Sequence, residues 1–353
     1  MGKYKFFIIG ALCFFLYFLP RTNAAAERGT QNMRVMCYNM ENLFDCIDDP
    51  EKDDDEFLPE SSTRHWTYKR YHEKLDHIAR TIAGVADGQF PAIVACCEIE
   101  SDTCMYDLTR RSLLRTADYK YIKTSSPDKR GINVAILYQR RLFKPVKQES
   151  IRIASSKNFK PTRDILHVAG ELINGDTLDV FVCHAPSRNG GEKETEPNRL
   201  AVARKLKQSV DEVMKTRETP QVIIMGDFND YPDNRSIREV LSAVSPPSTN
   251  KVKPNRLYHL LAAHAKEDRT FGSYKYKGTW GLLDHLIVSG TLLNEKGRLR
   301  TSEEQATVYK GKFLLTEDKK YGGEQPFRTF IGTKYQNGYS DHLPIYADFT
   351  LLC

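Results

Sequence analysis

Apolar residues fall in short runs along this chain, and one run after another ends in a side chain able to hold a proton or a metal ion. Val35-Met36-Cys37-Tyr38 ends at Asn39, Ile93-Val94-Ala95-Cys96-Cys97 at Glu98, and Val180-Phe181-Val182-Cys183 at His184. Val222-Ile223-Ile224-Met225 runs into Gly226-Asp227-Phe228-Asn229, and Leu282-Leu283 into Asp284-His285. Runs of this length, bounded by polar residues, predict buried strands. Strand alternation puts Asp227 and Asn229 on one face, and Gly226 admits close approach of another backbone or a ligand. A last strand is predicted from Ile345 to Phe349, directly after Tyr339-Ser340-Asp341-His342-Leu343-Pro344.

Elsewhere the period lengthens. Tyr71, Leu75, Ile78, Ala79, Ile82 and Val85 recur at helical spacing and predict a helix over 69–86 that packs one face on a sheet. A second helix is predicted to open at Pro197, a favoured first-turn residue, and to bury Leu200, Ala203, Leu206, Val210 and Val213. Further strands are expected near 132–138 and 178–183. Asp48 to Glu56 holds seven acids without EF-hand spacing, so it reads as a solvated loop rather than a calcium site. Phe271 to Trp280 interleaves Tyr274, Tyr276 and Trp280 with Lys275 and Lys277, which reads as a hairpin.

The N-terminus follows a different logic. Lys3 and Lys5 precede an apolar stretch from Phe6 to Leu19, and Ala24-Ala25-Ala26 follows. This order predicts a secretory signal peptide over residues 1–26, too short for a comfortable membrane span, ahead of a single domain over 33–353. The mature protein is then expected in the periplasm or outside the cell. Losing Lys3, Lys5 and Arg21 lowers Lys+Arg from 52 to 49 against 46 acids, a net charge of +3. That is too small to argue for nucleic acid by charge alone. Seven cysteines remain, and those in the apolar runs act as small hydrophobes. Export permits a disulfide using Cys46 or Cys104, but the spacing sets no framework.

Glu98 ends a run too apolar to hold a bare carboxylate, so a cation or a strong donor must compensate it. Taken together and in this order, the motifs around Asn39, Glu98, His184, Asp227, Asn229, Asp284, Asp341 and His342 resemble those of the endonuclease/exonuclease/phosphatase superfamily. Pancreatic-type DNases, exonuclease III-like repair nucleases and neutral sphingomyelinases share that fold. The resemblance implies a DNase I-like four-layer α/β sandwich, with two packed mixed β-sheets flanked by helices. It further implies Mg²⁺ or Mn²⁺ held at Glu98, Asn39 and Asp341. Asp227 matches the residue that activates water, and Asn229 the neutral donor that helps hold phosphate. Asp284 matches the partner of His342, whose positive charge would face the scissile phosphate. His184 is similar to the histidine of the DNase and bacterial sphingomyelinase branches, with a role as general acid or phosphate donor.

Candidate substrate contacts are Arg163, at a strand start, Arg130, ahead of Gly131-Ile132-Asn133, Arg199, early in the second predicted helix, and Trp280, at the rim of the site. Arginine suits bidentate phosphate contact, although most arginines in so charged a chain are solvated. The inositol-phosphatase string Trp-Cys-Asp-Arg is absent around Asp284, and no long apolar hairpin suggests membrane entry. The segment from Gly322 to Phe330 looks like an insertion of a secreted bacterial branch. These features imply a secreted, divalent-metal-dependent phosphodiesterase, endonuclease-like, with nucleic acid as the leading substrate. A phospholipid or sugar-phosphate hydrolase of the same fold is the alternative, and a catalytically silent binding protein is the alternative of another class.

Overall fold

The structure, a computed structural model, describes residues 29–157, 159–247 and 251–353, so the leader expected over 1–26 lies outside it. Nine strands carry most of the argument: β1 (Thr30–Leu43), β2 (Ile93–Ile99), β3 (Tyr119–Lys123), β4 (Asn133–Gln139), β5 (Phe143–Ile151), β6 (Ile165–Leu172), β7 (Thr177–His184), β8 (Val222–Asp227) and β9 (Leu257–His259). Three helices flank them: α1 (Tyr68–Val85), α2 (Asp102–Arg110) and α3 (Glu192–Thr216). Later elements are named by their residues.

Two mixed sheets result. In the first, the order runs from Leu299–Arg300 through the C-terminal strand Ile345–Leu352 to β1, β2, β4 and β3. In the second it runs β5, β6, β7, β8, Asp284–Ser289 and β9. Each sheet has a parallel pair near its middle, β1 with β2 and β7 with β8, while the other neighbours are antiparallel. Parallel neighbours require a crossover, and α1 and α3 supply the two.

The continuous apolar runs are explained by burial on both faces. Val35, Cys37, Ile93 and Ala95 point into the core between the sheets and meet Val180, Val182, Ile223 and Met225 of the second sheet. Their chain neighbours Met36, Tyr38, Val94 and Cys96 point the other way, onto Leu75, Ile78 and Ile82 of α1. On the far side, Phe181, Cys183, Val222 and Ile224 cover Val202, Ala203, Leu206 and Val210 of α3. This gives the order helices, sheet, sheet, helix, the four-layer sandwich expected.

Helix α1 starts where the sequence places it, with the Thr67 side chain accepting from the Arg70 amide. Helix α3 does not: it begins at Glu192, five residues before Pro197. Glu192 and Glu194 occupy its first turn, where acids favour the positive helix end, and so extend it past a proline that lacks one N–H bond. Residues 274–276 and 279–281 pair as the expected hairpin. None of the cysteines among the described residues is paired, and Cys46 and Cys104 are both buried thiols.

Candidate active site

Strand register assembles the site. His184, the last residue of β7, pairs with Asp227, the last of β8. Asp227 in turn pairs with Asp284, the first residue of the antiparallel strand beside it. An imidazole and two carboxylates therefore stand in one row across three neighbouring strands. Gly226 makes the row compact: its φ is +148°, and a Cβ there would lie 1.7 Å from the Cys183 carbonyl oxygen. Only glycine fits such an approach.

From the other sheet come Asn39 and Glu98. Glu98 sits at φ +65°, and Glu41 and Asn42 at +47° and +54°. Left-handed backbone at a non-glycine residue costs on the order of 1–3 kcal/mol. Here it turns the end of β1 so that the Asn42 amide donates to Glu98 Oε2 at 2.8 Å. The Asn39 Nδ2 donates to Asp227 Oδ2 at 3.0 Å and makes a longer 3.4 Å contact with Glu98 Oε1.

His342 closes the arrangement from the loop before the last strand. Its Nδ1 lies 2.6 Å from Asp284 Oδ2, and its Nε2 lies 3.7 Å from Asp227 Oδ2. Asp284 Oδ2 also accepts from Ser273 Oγ at 2.6 Å. Ser340 Oγ donates to the Asn39 carbonyl at 2.7 Å and accepts from the His342 amide at 3.1 Å, fixing the loop to β1. Burial opposes charge on His342, but Asp284, Asp227 and Asp341 together hold its pKa well above the usual value. For Asp227 burial dominates and lifts the carboxyl to about 7, even with His342 lowering it. The pair thus reads as an imidazolium facing a carboxyl poised near neutrality.

His184 differs. Burial, then the charges of Arg163, Arg130 and His342, push its pKa well below normal. Its Nε2 lies 3.7 Å from Asp227 Oδ2 and 3.8 Å from Glu98 Oε1, while Nδ1 has no partner among the described residues. A neutral imidazole offers an N–H to a phosphate but stores no spare proton, so of its two expected roles the donor role fits.

Of the residues expected to hold the metal, Glu98 and Asp341 are the carboxylates. The Glu98 side chain is 15 % exposed and forms no salt bridge with a lysine or arginine among the described residues. Asp341 is 20 % exposed and gives one oxygen, Oδ2, to Arg328 Nη2 at 2.8 Å. Each is of the oxygen-donor type that a hard divalent cation takes. Asn39 departs from the expectation, because its Oδ1 accepts from the Glu41 amide at 3.0 Å. It faces the site with nitrogen, and so holds Glu98 and Asp227 rather than offering an oxygen to a cation. Asp227, Asp284 and His342 bring three donor atoms within 4.8 Å of one another. Hydrogen bonds already engage it.

The substrate-contact candidates separate clearly. Arg130 is exposed, touches Asn42 Oδ1 at 3.3 Å and lies near enough to depress His184. Arg163 is buried behind the site: Nη2 donates to the Ala185 carbonyl at 2.7 Å and Nη1 to Asp128 at 3.2 Å. It braces the strand end that carries His184, a carbonyl to which Asn229 Nδ2 also donates, at 3.1 Å. Arg199 is sealed off at 1 % exposure, bound to Asp230, Thr195 and the Glu192 carbonyl, so it anchors α3 to the 227–236 loop. Trp280 pairs with Lys275 and sits under Lys310 at 4.9 Å. It is Tyr274, on the opposite hairpin face, whose ring lies 4.9 Å from that of His342.

Ser340 lies in the string before the last strand, Tyr274 in the predicted hairpin and Arg328 in the 322–330 segment, but sequence reading gives none of them, nor Ser273, a role at the site. The proximity of Ser273 and Tyr274 to Asp284 was the one available signal, and it pointed to Trp280 instead.

No curated protein matches the sequence at a significant level. Among solved structures, D. rerio TDP2 complexed with single strand DNA product superposes with a TM-score of 0.52 at 13 % identity, covering 90 % of this chain and 98 % of that one. A Bacteroides thetaiotaomicron mannosyl-6-phosphatase gives 0.54 at 15 % identity over 90 % and 99 %. The human Nocturnin catalytic domain with bound sulfate anion gives 0.52 at 17 % over 91 % and 97 %. Such identities establish the shared fold. The model of the Endonuclease/Exonuclease/phosphatase family matches residues 34–350, nearly the whole described chain, and with that match this protein belongs to the family.

Proposed function

We propose that the protein is an exported, divalent-metal-dependent phosphodiesterase with nucleic acid as its leading substrate class. The observation that carries this reading is His342 standing between Asp284 and Asp227, at 2.6 Å and 3.7 Å. A phosphodiester centre needs a base for water and a positive group for the charge that grows on the phosphoryl oxygens.

In this reading Asp227 takes the proton of the attacking water, oriented by the Asn39 amide. The charged His342 donates to a phosphoryl oxygen, and neutral His184 donates its N–H to another. Asn229 keeps the Asp227 carboxylate in place, its amide donating to Oδ1 at 2.9 Å. Arg130, exposed at the rim, contacts a neighbouring phosphate. Glu98 and Asp341 would hold a Mg²⁺ or Mn²⁺ ion, which supplies Lewis-acid neutralisation of phosphate charge.

The test is a metal-supplemented panel of linear DNA, RNA, sphingomyelin, phosphoinositides, sugar phosphates and nucleotide monophosphates at two salt concentrations. Phosphodiesters are expected to be cleaved faster than monoesters, with nucleic-acid binding weakening steeply as salt rises. Exclusive turnover of lipids or sugar phosphates would overturn the nuclease reading. No turnover of any substrate would favour a silent binding protein.

A further inference from the structure

The strand Ala306–Val308 pairs directly with the last strand, so the chain between them, residues 309–344, adds no strand to either large sheet. It forms two short hairpins instead, 315–317 with 324–326 and 330–331 with 334–335. Two buried charges hold this segment. Lys74 of α1, 1 % exposed, donates through Nζ to Thr329 Oγ1 and to the Tyr339 carbonyl, both at 2.6 Å. Glu41, 5 % exposed, accepts from the Thr329 amide at 2.6 Å and the Phe330 amide at 3.1 Å. Burying a lysine and a carboxylate is costly, and so is the left-handed backbone of Glu41. What they fix is the main chain next to residue 328.

Arg328 leaves that main chain toward the site. Its Nη2 donates to Asp341 Oδ2 at 2.8 Å, and its Nε lies 3.9 Å from Glu41 Oε1 without a hydrogen bond. Only Nη2 of the guanidinium is hydrogen-bonded among the described residues, and the side chain stays 35 % exposed, so N–H donors remain for a further anion. Burial and Asp341 raise the Tyr274 pKa while His342 and Arg328 lower it, which puts these four groups in one neighbourhood. Arg130 belongs to the other end of the row. It acts on His184, the β7 residue, whereas Asp284 and His342 lie beyond β8. The consecutive residues Glu41 and Asn42, both left-handed, thus stand one beside each arginine, Arg130 Nη1 touching Asn42 Oδ1 at 3.3 Å.

We propose that Arg328 is a substrate-binding residue that takes a backbone phosphate on the flank opposite Arg130, so that two arginines bracket the scissile phosphate of a chain cut internally. This rests on the phosphodiesterase reading and adds to it the position of the cut. A guanidinium braced by one carboxylate keeps its planar fork oriented, the geometry that phosphate oxygens accept. A substrate with a single phosphate would leave one of the two arginines without a partner.

Binding is measured by fluorescence anisotropy of a labelled single-stranded oligonucleotide, its backbone phosphorothioate to suppress turnover, on full-length protein at fixed Mg²⁺ over a range of salt. Wild type should bind, with log K falling linearly in log salt. Arg328→Gln keeps an amide donor for Asp341 but loses the charge. It should weaken binding at least about fivefold and reduce the slope by about 0.7, the share of one single-strand phosphate contact. Arg130→Gln should do the same, and the double variant should lose about 1.4. Arg328→Lys should keep the slope. An unchanged slope in Arg328→Gln would overturn the proposal, as would an effect confined to the metal concentration for half-maximal rate, which would make Arg328 a brace for Asp341 alone. A wild type that does not bind the oligonucleotide overturns it too. Closed-circular single-stranded DNA should be cut, and turnover of linear DNA with the circle left intact would exclude the bracketed chain. If DNA is cut but the slope ignores Arg328, the inference fails and the phosphodiesterase reading stands. A slope that follows Arg328 with no substrate cut does the reverse for the arginine contact.

Discussion

His342 and Asp284 meet at 2.6 Å through one carboxylate oxygen, the same oxygen that accepts from Ser273. Asp284 thereby fixes which imidazole nitrogen faces the core and leaves Nε2 turned toward Asp227. The two residues should act as a unit. His342→Ala is expected to lower kcat by at least about 10²-fold, the scale of a lost acid–base or oxyanion group. Asp284→Asn acts through His342, so the double variant should cost little beyond His342→Ala alone. Steady-state kinetics of the three variants checks this, and strict additivity would show that the residues work separately.

Activity should depend on pH in a direction set by Asp227. Its carboxyl lies at about 7, and as the base it must be ionised, so kcat/KM should climb as pH rises through that value. His342 must stay charged, and its raised pKa puts the falling limb on the alkaline side. Asn39→Asp places a third carboxyl where an amide now donates to Asp227, and should move the rising limb to higher pH. A flat profile between about pH 5 and 9 would remove both groups from these roles.

Chelation should abolish turnover, and Mg²⁺ or Mn²⁺ should restore it. Glu98→Gln removes one anionic ligand and should raise the metal concentration for half-maximal rate at least about tenfold. Metal-independent turnover in both forms would take Glu98 out of metal binding.

Arg199 and Arg130 should fail in opposite ways. Arg199→Ala leaves Asp230 buried at 2 % exposure without its main partner, and should cost about 3 kcal/mol of stability. The folded fraction should keep its kcat/KM within about twofold, since the guanidinium does not reach the site. Arg130→Ala should leave Tm unchanged and raise KM for long polyanionic substrates. Paired melting curves and kinetics distinguish the two.

Export can be checked by intact mass. Protein recovered from the producing cell should begin between Ala25 and Glu27, as the leader pattern implies. A membrane-bound product retaining Met1 would exclude the cleaved form.

Much of the fold was legible because both sheets are covered on both faces, which makes their central strands read as unbroken apolar runs. The polar residue ending each run was legible for the same reason: it marks where burial stops. What the sequence hides is orientation. Asn39 sits where expected, but only the turned backbone at Glu41 and Asn42 shows that its nitrogen faces the site. Arg163 looks like a phosphate ligand until the Ala185 carbonyl is found behind it. In the hairpin, pairing parity sends Tyr274 to His342 and Trp280 to Lys310, and no local pattern fixes that parity. Asp54 is buried at 1 % exposure, which is equally silent in the sequence, because the acids around it have the composition of a solvated loop.

Gly226 carries a consequence for how such a molecule can change. With the Cys183 carbonyl pressed into the space a Cβ would need, the gap between His184 and Asp227 is set by main chain rather than by side-chain packing. Larger residues at 226 would pry β7 from β8 and separate the two groups together. The reacting centre is therefore tied to the sheet and closed to gradual adjustment. Altered substrate preference must enter through the surrounding loops, such as the one that brings Arg328 to Asp341.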